Sequence, residues 1–183
     1  GDYQGAITKF EEFLAKNPSL YHVHVNLGNC YREMGEYDKA LEHYQIVLDK
    51  VKESSGSYEG NEVAARAMAS MGHVYIKKGD LSQARGYLKQ AVDIFPQDET
   101  LAFNVAEIYF KEREIDEAIK YYKVAIKIKP DWAPPYRQIG YAYLNKGDYR
   151  NAVDNLKKFV QLAPDDPQAA TIRNLIPKLE ELI

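Results

Sequence analysis

The sequence of 183 residues predicts an all-α fold, an α-solenoid of antiparallel helix pairs, on three observations. First, alanines recur at Ala6, Ala40, Ala84, Ala118 and Ala152, in steps of 34, 44, 34 and 34 residues. A large side chain follows each of them four places on, at Phe10, Tyr44, Leu88, Tyr122 and Leu156. Second, a short phrase precedes the last four alanines: Leu27-Gly28-x-x-Tyr31, Met71-Gly72-x-x-Tyr75, Val105-Ala106-x-x-Tyr109 and Ile139-Gly140-x-x-Tyr143. Third, apolar residues recur at three- and four-residue steps, as in Val23, Leu27, Cys30, Tyr31 and Met34 and again in Tyr37, Ala40, Leu41, Tyr44, Val47 and Leu48. That spacing is the helical period.

Taken in order, residues 1–18 read as half a repeat. Gly1-Asp2-Tyr3 aligns with Gly147-Asp148-Tyr149, the start of a second helix, so the first helix of this unit is missing. We therefore expect a fragment of a longer array. Residues 19–60 form a repeat with an extended loop, because the step of 44 carries ten extra residues around Glu53-Ser54-Ser55-Gly56-Ser57-Tyr58-Glu59-Gly60. Ser and Gly favour irregular backbone there. The loop reads as a surface insertion or as longer helix ends, with a protruding contact element around Tyr58 as the functional alternative.

Residues 61–96, 97–130 and 131–164 form three further repeats, closed by Pro96, Pro130 and Pro164. Gly35, Gly79 and Gly147 fall where first helices must stop. Arg113 replaces that glycine in one repeat, so its turn is expected to be strained or differently shaped. Asp80, Asp148, Asp98, Asp131 and Asp166 stand where N-caps belong. Pro134, Pro135 and Pro167 suit first helical turns. Residues 165–183 read as a capping helix with Ile172, Leu175, Ile176, Leu179 and Leu182 turned inward, kinked or split at Pro177.

Composition narrows the function. There are 24 Lys plus Arg against 27 Asp plus Glu, a formal net charge of -3. With 45% hydrophobic and 28% charged residues the chain has a globular balance, too apolar for a disordered one. An acidic balance without a continuous basic stripe argues against nucleic acid. No uncharged run approaches the ~18 residues of a membrane helix, so no membrane insertion is expected. One Cys excludes an internal disulfide and a multi-Cys metal site.

Catalytic constellations do not emerge either. Cys30 falls on an inward helix face, and His22 and His24 diverge on one helix. His43 and His73 lack Cys, Asp or His at ligand spacing. We expect no enzyme, no metal and no cofactor.

The registered motifs resemble the tetratricopeptide repeat (TPR) family, whose signature runs W-x2-L-G-x2-Y, A-x3-F, P. The tryptophan place holds His24, Met68, Ala102 and Tyr136, and bulky Phe13 and Phe159 stand where Ala91 and Ala125 are small. The resemblance implies a right-handed superhelix whose first helices line a concave groove for a peptide or a partner protein. Carried over residue by residue, the groove candidates are Asn26, Asn29, Arg66, Ser70, His73, Lys77, Phe103, Asn104, Glu107, Arg137, Gln138 and Tyr141, with Glu33, Lys111 and Asn145 beside them.

One column, Asn26, Ser70, Asn104 and Gln138, can both donate and accept hydrogen bonds. It is similar to the asparagine ladder of some TPR proteins. Phe103, Tyr141 and Arg137 suggest an aromatic, cation-bearing pocket. The carboxylate clamp of chaperone-binding TPR domains is not matched. Its five places read Val25, Asn29, Ser70, Thr100, Asn104 in one frame and Ala69, His73, Asn104, Pro134, Gln138 in the next, with none of the cations. The expectation is a non-catalytic interaction module. The alternatives are a self-assembling scaffold, a homo-oligomer through solenoid ends or groove, and an accessory domain of an enzyme on the same longer chain.

Overall fold

The computed structural model describes residues 2–183. The described residues hold ten α-helices and no strand, divided between two compact units. In residues 1–96 these are α1 (Tyr3–Lys16), α2 (Val23–Glu33), α3 (Tyr37–Ser55), α4 (Glu62–Lys78) and α5 (Leu81–Ile94). In residues 97–183 they are α6 (Glu99–Lys111), α7 (Ile115–Ile128), α8 (Ala133–Asn145), α9 (Tyr149–Leu162) and α10 (Pro167–Glu180). Within each unit every helix packs on the next, and α2 also touches α4. Each unit is a stack of antiparallel helix pairs, the expected all-α class.

The signature positions pack against one another. Ala40, Ala84, Ala118 and Ala152 are fully buried, as are Tyr44, Leu88, Tyr122 and Leu156. A Cβ on Gly28 would meet Tyr44 at 2.4 Å, one on Gly72 would meet Leu88 at 2.5 Å, and one on Gly140 would meet Leu156 at 2.6 Å. The missing side chain lets the paired helices close.

The four helix-ending turns share one backbone design. The carbonyls of Tyr31, Tyr75, Tyr109 and Tyr143 accept the N–H of Glu36, Asp80, Glu114 and Asp148 at 2.9–3.0 Å. The residue between has positive φ: Gly35 at 79°, Gly79 at 80°, Arg113 at 63° and Gly147 at 72°. This is the Schellman geometry. Arg113 keeps the glycine shape of the turn and bears the strain, of order 1 kcal/mol for an L side chain in that region.

Caps follow the expectation with one correction. Asp80, Asp98, Asp148 and Asp166 accept hydrogen bonds from Gln83, Leu101, Asn151 and Gln168 backbone N–H groups. Asp131 does not cap α8: the N-cap is Trp132, without a side-chain bond. The register explains this, since Asp131 lies 34 residues after Gln97, one place short of the Asp98 position.

The ten extra residues are absorbed mainly by longer helices. α3 has 19 residues and α4 has 17, against 14 in α5, α7 and α9. Gly56 closes α3 at φ 70°. The Gly60 N–H donates to the Ile94 carbonyl at 2.9 Å. Tyr58 is half-buried beneath the Lys52 ammonium, 5.4 Å from its ring, rather than protruding.

In α10, Ile172, Ile176 and Leu179 are buried and Leu175 packs half-buried against the same cluster as Phe159. Leu182 is 59% exposed because the helix has ended at Glu180. Pro177 does not split α10, which runs through it. The exposed ring leaves the Arg173 carbonyl without its helical donor near the end of the helix, while the Pro177 carbonyl still accepts the Glu181 N–H at 3.2 Å.

Candidate functional site

In residues 1–96 the first-helix face is built from α2 and α4. Asn29 spends its carbonyl inside the protein: Oδ1 accepts the Tyr44 hydroxyl at 2.8 Å and the Ser70 hydroxyl at 3.3 Å. Burial pushes the Tyr44 hydroxyl pKa up to about 12, so it remains a donor at neutral pH. Ser70 is itself buried, at 8% exposure. Asn26 is half-buried and its amide meets no hydrogen-bond partner among the described residues. Arg66 is exposed. His73 and Lys77 join Arg32, Glu33 and Ile76 around an open pocket of about 230 Å³. Arg32 pairs with Glu33 at 2.9 Å, and Ile76 is 38% exposed.

In residues 97–183 the corresponding face comes from α6 and α8. Glu107 takes the place of Asn29, accepting from the Tyr122 hydroxyl and, at 2.6 Å, from the Gln138 amide. Burial, then this carboxylate, pushes the Tyr122 hydroxyl far up. Asn104 is half-buried and, like Asn26, has no hydrogen-bond partner among the described residues. The column of four therefore divides: Ser70 and Gln138 tie repeats together, while Asn26 and Asn104 offer free amides.

Each residue of the expected aromatic pocket has packing partners of its own. Phe103 packs on Tyr122 and Trp132, with centroids 5.5 and 5.1 Å away. Arg137 lies over the buried Phe159 ring at 5.4 Å, and Tyr141 packs into the α8–α10 cluster. Lys111 and Asn145 border a second pocket of about 460 Å³ with Phe110, Arg113 and Ile115.

A further cluster escaped the sequence reading. His24 Nδ1 lies 2.9 Å from His43 Nδ1, the two rings stack at 5.1 Å, and His43 stacks on Tyr31 at 5.3 Å. The Lys39 ammonium completes the column 5.2 Å from the Tyr31 ring. A signal was present: the signature tyrosine stacks on the residue twelve places later, as Tyr75 does on Tyr87 and Tyr109 on Tyr121. His43 is the same place in its repeat.

Cys30 is buried and free, and burial pushes its thiol up, away from the reactive thiolate. Among the described residues no group of three or more His, Cys, Asp or Glu side chains is placed to hold a metal. No described helix is long and apolar enough to cross a membrane.

Comparison with known proteins agrees with this architecture. Tetratricopeptide repeat family models match residues 19–97, 70–131 and 105–177. No curated protein matches in sequence. Among solved structures, MamA is 24% identical with a TM-score of 0.72, the match covering 92% of this chain and 92% of that one. YrrB, described as a TPR protein with an unusual peptide-binding site, is 21% identical with a TM-score of 0.69, covering 94% and 84%. The C-terminal part of a TPR repeat-containing protein from Cytophaga hutchinsonii is 20% identical with a TM-score of 0.76, covering 98% and 67%.

Proposed function

The chain belongs to the tetratricopeptide repeat family, and from that premise we propose that it is a non-catalytic interaction module whose first-helix faces bind a peptide segment or a partner domain. One observation carries the reading. Asn26 and Asn104 hold half-buried amides that the fold leaves without hydrogen-bond partners, although their register equivalents Ser70 and Gln138 are engaged. A side-chain amide can accept one backbone N–H and donate to one backbone C=O, so each would grip an extended peptide with little demand on its sequence. A face made of packed helices is ordered before the partner arrives, which spares the cost of ordering it on binding. YrrB, a TPR protein with an unusual peptide-binding site, supports the same reading by analogy of fold.

Panning of a random peptide library against the chain, with Asn26→Ala/Asn104→Ala beside it, tests this. Trp132, the single tryptophan, touches Phe103 and reports binding near α6 and α8 through its emission. Enriched peptides that the double variant loses support the reading. Enrichment indifferent to the variant moves binding to another face and overturns it.

A further inference from the structure

Three of the four Schellman turns put glycine at the positive-φ place, and the fourth puts Arg113 there at φ 63°. The turn itself does not ask for arginine, because Gly35, Gly79 and Gly147 make it without one. A strained residue that its siblings avoid points to a use for its side chain.

That side chain is exposed and borders the pocket of about 460 Å³ with Phe110, Lys111, Ile115 and Asn145. Neither Arg113 nor Lys111 has an ion-pair partner among the described residues. The nearby carboxylates are occupied: Asp116 holds Lys146, and Glu112 and Glu114 have interactions of their own.

The equivalent place in residues 1–96 differs in charge. There Gly35, Glu36, Tyr37, Asp38, Lys39 and Lys78 border a pocket whose cations are matched, Lys39 to Glu36 at 2.5 Å and Lys78 to Asp38 at 3.2 Å. The pocket beside Arg113 thus presents two unmatched cations next to the apolar side chains of Phe110 and Ile115. Asn145 donates its Nδ2 to the Tyr141 carbonyl at 3.0 Å, which leaves its Oδ1 open to a backbone N–H.

We propose that this pocket is a subsite for an acidic peptide segment with an adjacent aromatic residue. A carboxylate meets the planar Arg113 fork and the Lys111 ammonium, the aromatic ring lies on Phe110 and Ile115, and Asn145 accepts from the peptide backbone. The inference rests on the reading of residues 97–183 as a peptide-binding surface and adds the ligand's charge and its place.

The test is a titration of the isotopically labelled chain, followed by amide NMR shifts. The probe is a capped peptide, Gly-Ser-Gly-Glu-Phe-Glu-Gly-Ser-Gly, and its control carries Gln for both Glu residues. The expected result is shifts at residues 110–116 and Asn145, with the control weaker by about fivefold, the size of an exposed ion pair. Arg113→Gly should weaken the acidic peptide by a similar factor while melting at the same temperature as the parent or higher, so lost binding is not lost fold. Equal binding of both peptides, or unchanged binding by Arg113→Gly, overturns the subsite. Shifts at Phe103 and Asn104 without shifts at 110–116 overturn the subsite and spare the wider reading. No shift anywhere with either peptide counts against both.

Discussion

The Nδ1 atoms of His24 and His43 lie 2.9 Å apart, at the head of a stack that continues through Tyr31 to Lys39. A hydrogen bond between two ring nitrogens needs one donor and one acceptor, so at least one imidazole is neutral. Burial holds His24 below its ordinary value of 6.5, and the charge of His43 adds to this. Burial also lowers His43, against the opposing pull of Glu11 and Glu42. The unfolded chain takes up protons near pH 6.5, and the folded chain resists them. Stability from this pair is therefore complete above that pH and declines as pH falls below it. Melting temperature should drop between pH 7 and 5.5, and His24→Gln/His43→Phe should flatten that slope. An unchanged slope in the double variant would show that other groups carry it.

Two glycines in residues 1–96 should respond with opposite signs. A Cβ on Gly72 would lie 2.5 Å from Leu88 Cγ and 3.1 Å from the Ala84 carbonyl oxygen, whereas one on Gly86 meets nothing within 4 Å. Gly72→Ala overpacks a closed contact at a cost of about 1–3 kcal/mol. Gly86→Ala gains about 0.5–1 kcal/mol from reduced backbone freedom in a helix. Urea melts of the two variants check the pair, and a stabilised Gly72→Ala would contradict the close helix approach.

Asn29 should act on stability before it acts on binding. Asn29→Ala takes the shared acceptor from the Tyr44 and Ser70 hydroxyls and should cost about 1–3 kcal/mol. Asn29→Ala/Tyr44→Phe removes the tyrosine hydroxyl as well, leaves only the Ser70 hydroxyl without this acceptor, and should recover part of that loss. A double variant less stable than the sum of the singles would mean that Asn29 supports the fold by another route.

The fold was open to reading because its signature residues are also its contacts. Gly28 meets Tyr44, Gly72 meets Leu88, and the tyrosine of each signature caps its own helix through the turn. The site was less legible because the column that looks uniform in sequence has two physical fates. Ser70 and Gln138 are drawn inward by Asn29 and Glu107, residues three places after the column in the neighbouring repeat. Pairing across repeats depends on the offset between stacked helices, which a single-repeat period does not contain. The His24–His43 contact hid for a related reason. Its residues come from two helices of one repeat, 19 apart in sequence. Asp131 failed as a cap by a single register step, a shift that periodicity resolves only when every repeat is aligned residue by residue.

The contact of Trp132 with Phe103 places the chain's only tryptophan within residues 97–183. In a repeat array, stability is close to a sum of local terms and nearest-neighbour couplings. A fluorescence melt therefore follows the repeats around Trp132, whereas helical ellipticity averages over all ten described helices. Superposition of the two curves would measure how far cooperativity extends along the chain, and their separation would measure where it breaks. The lone indole makes this protein a self-labelled test of one-dimensional cooperativity, with no dye to attach.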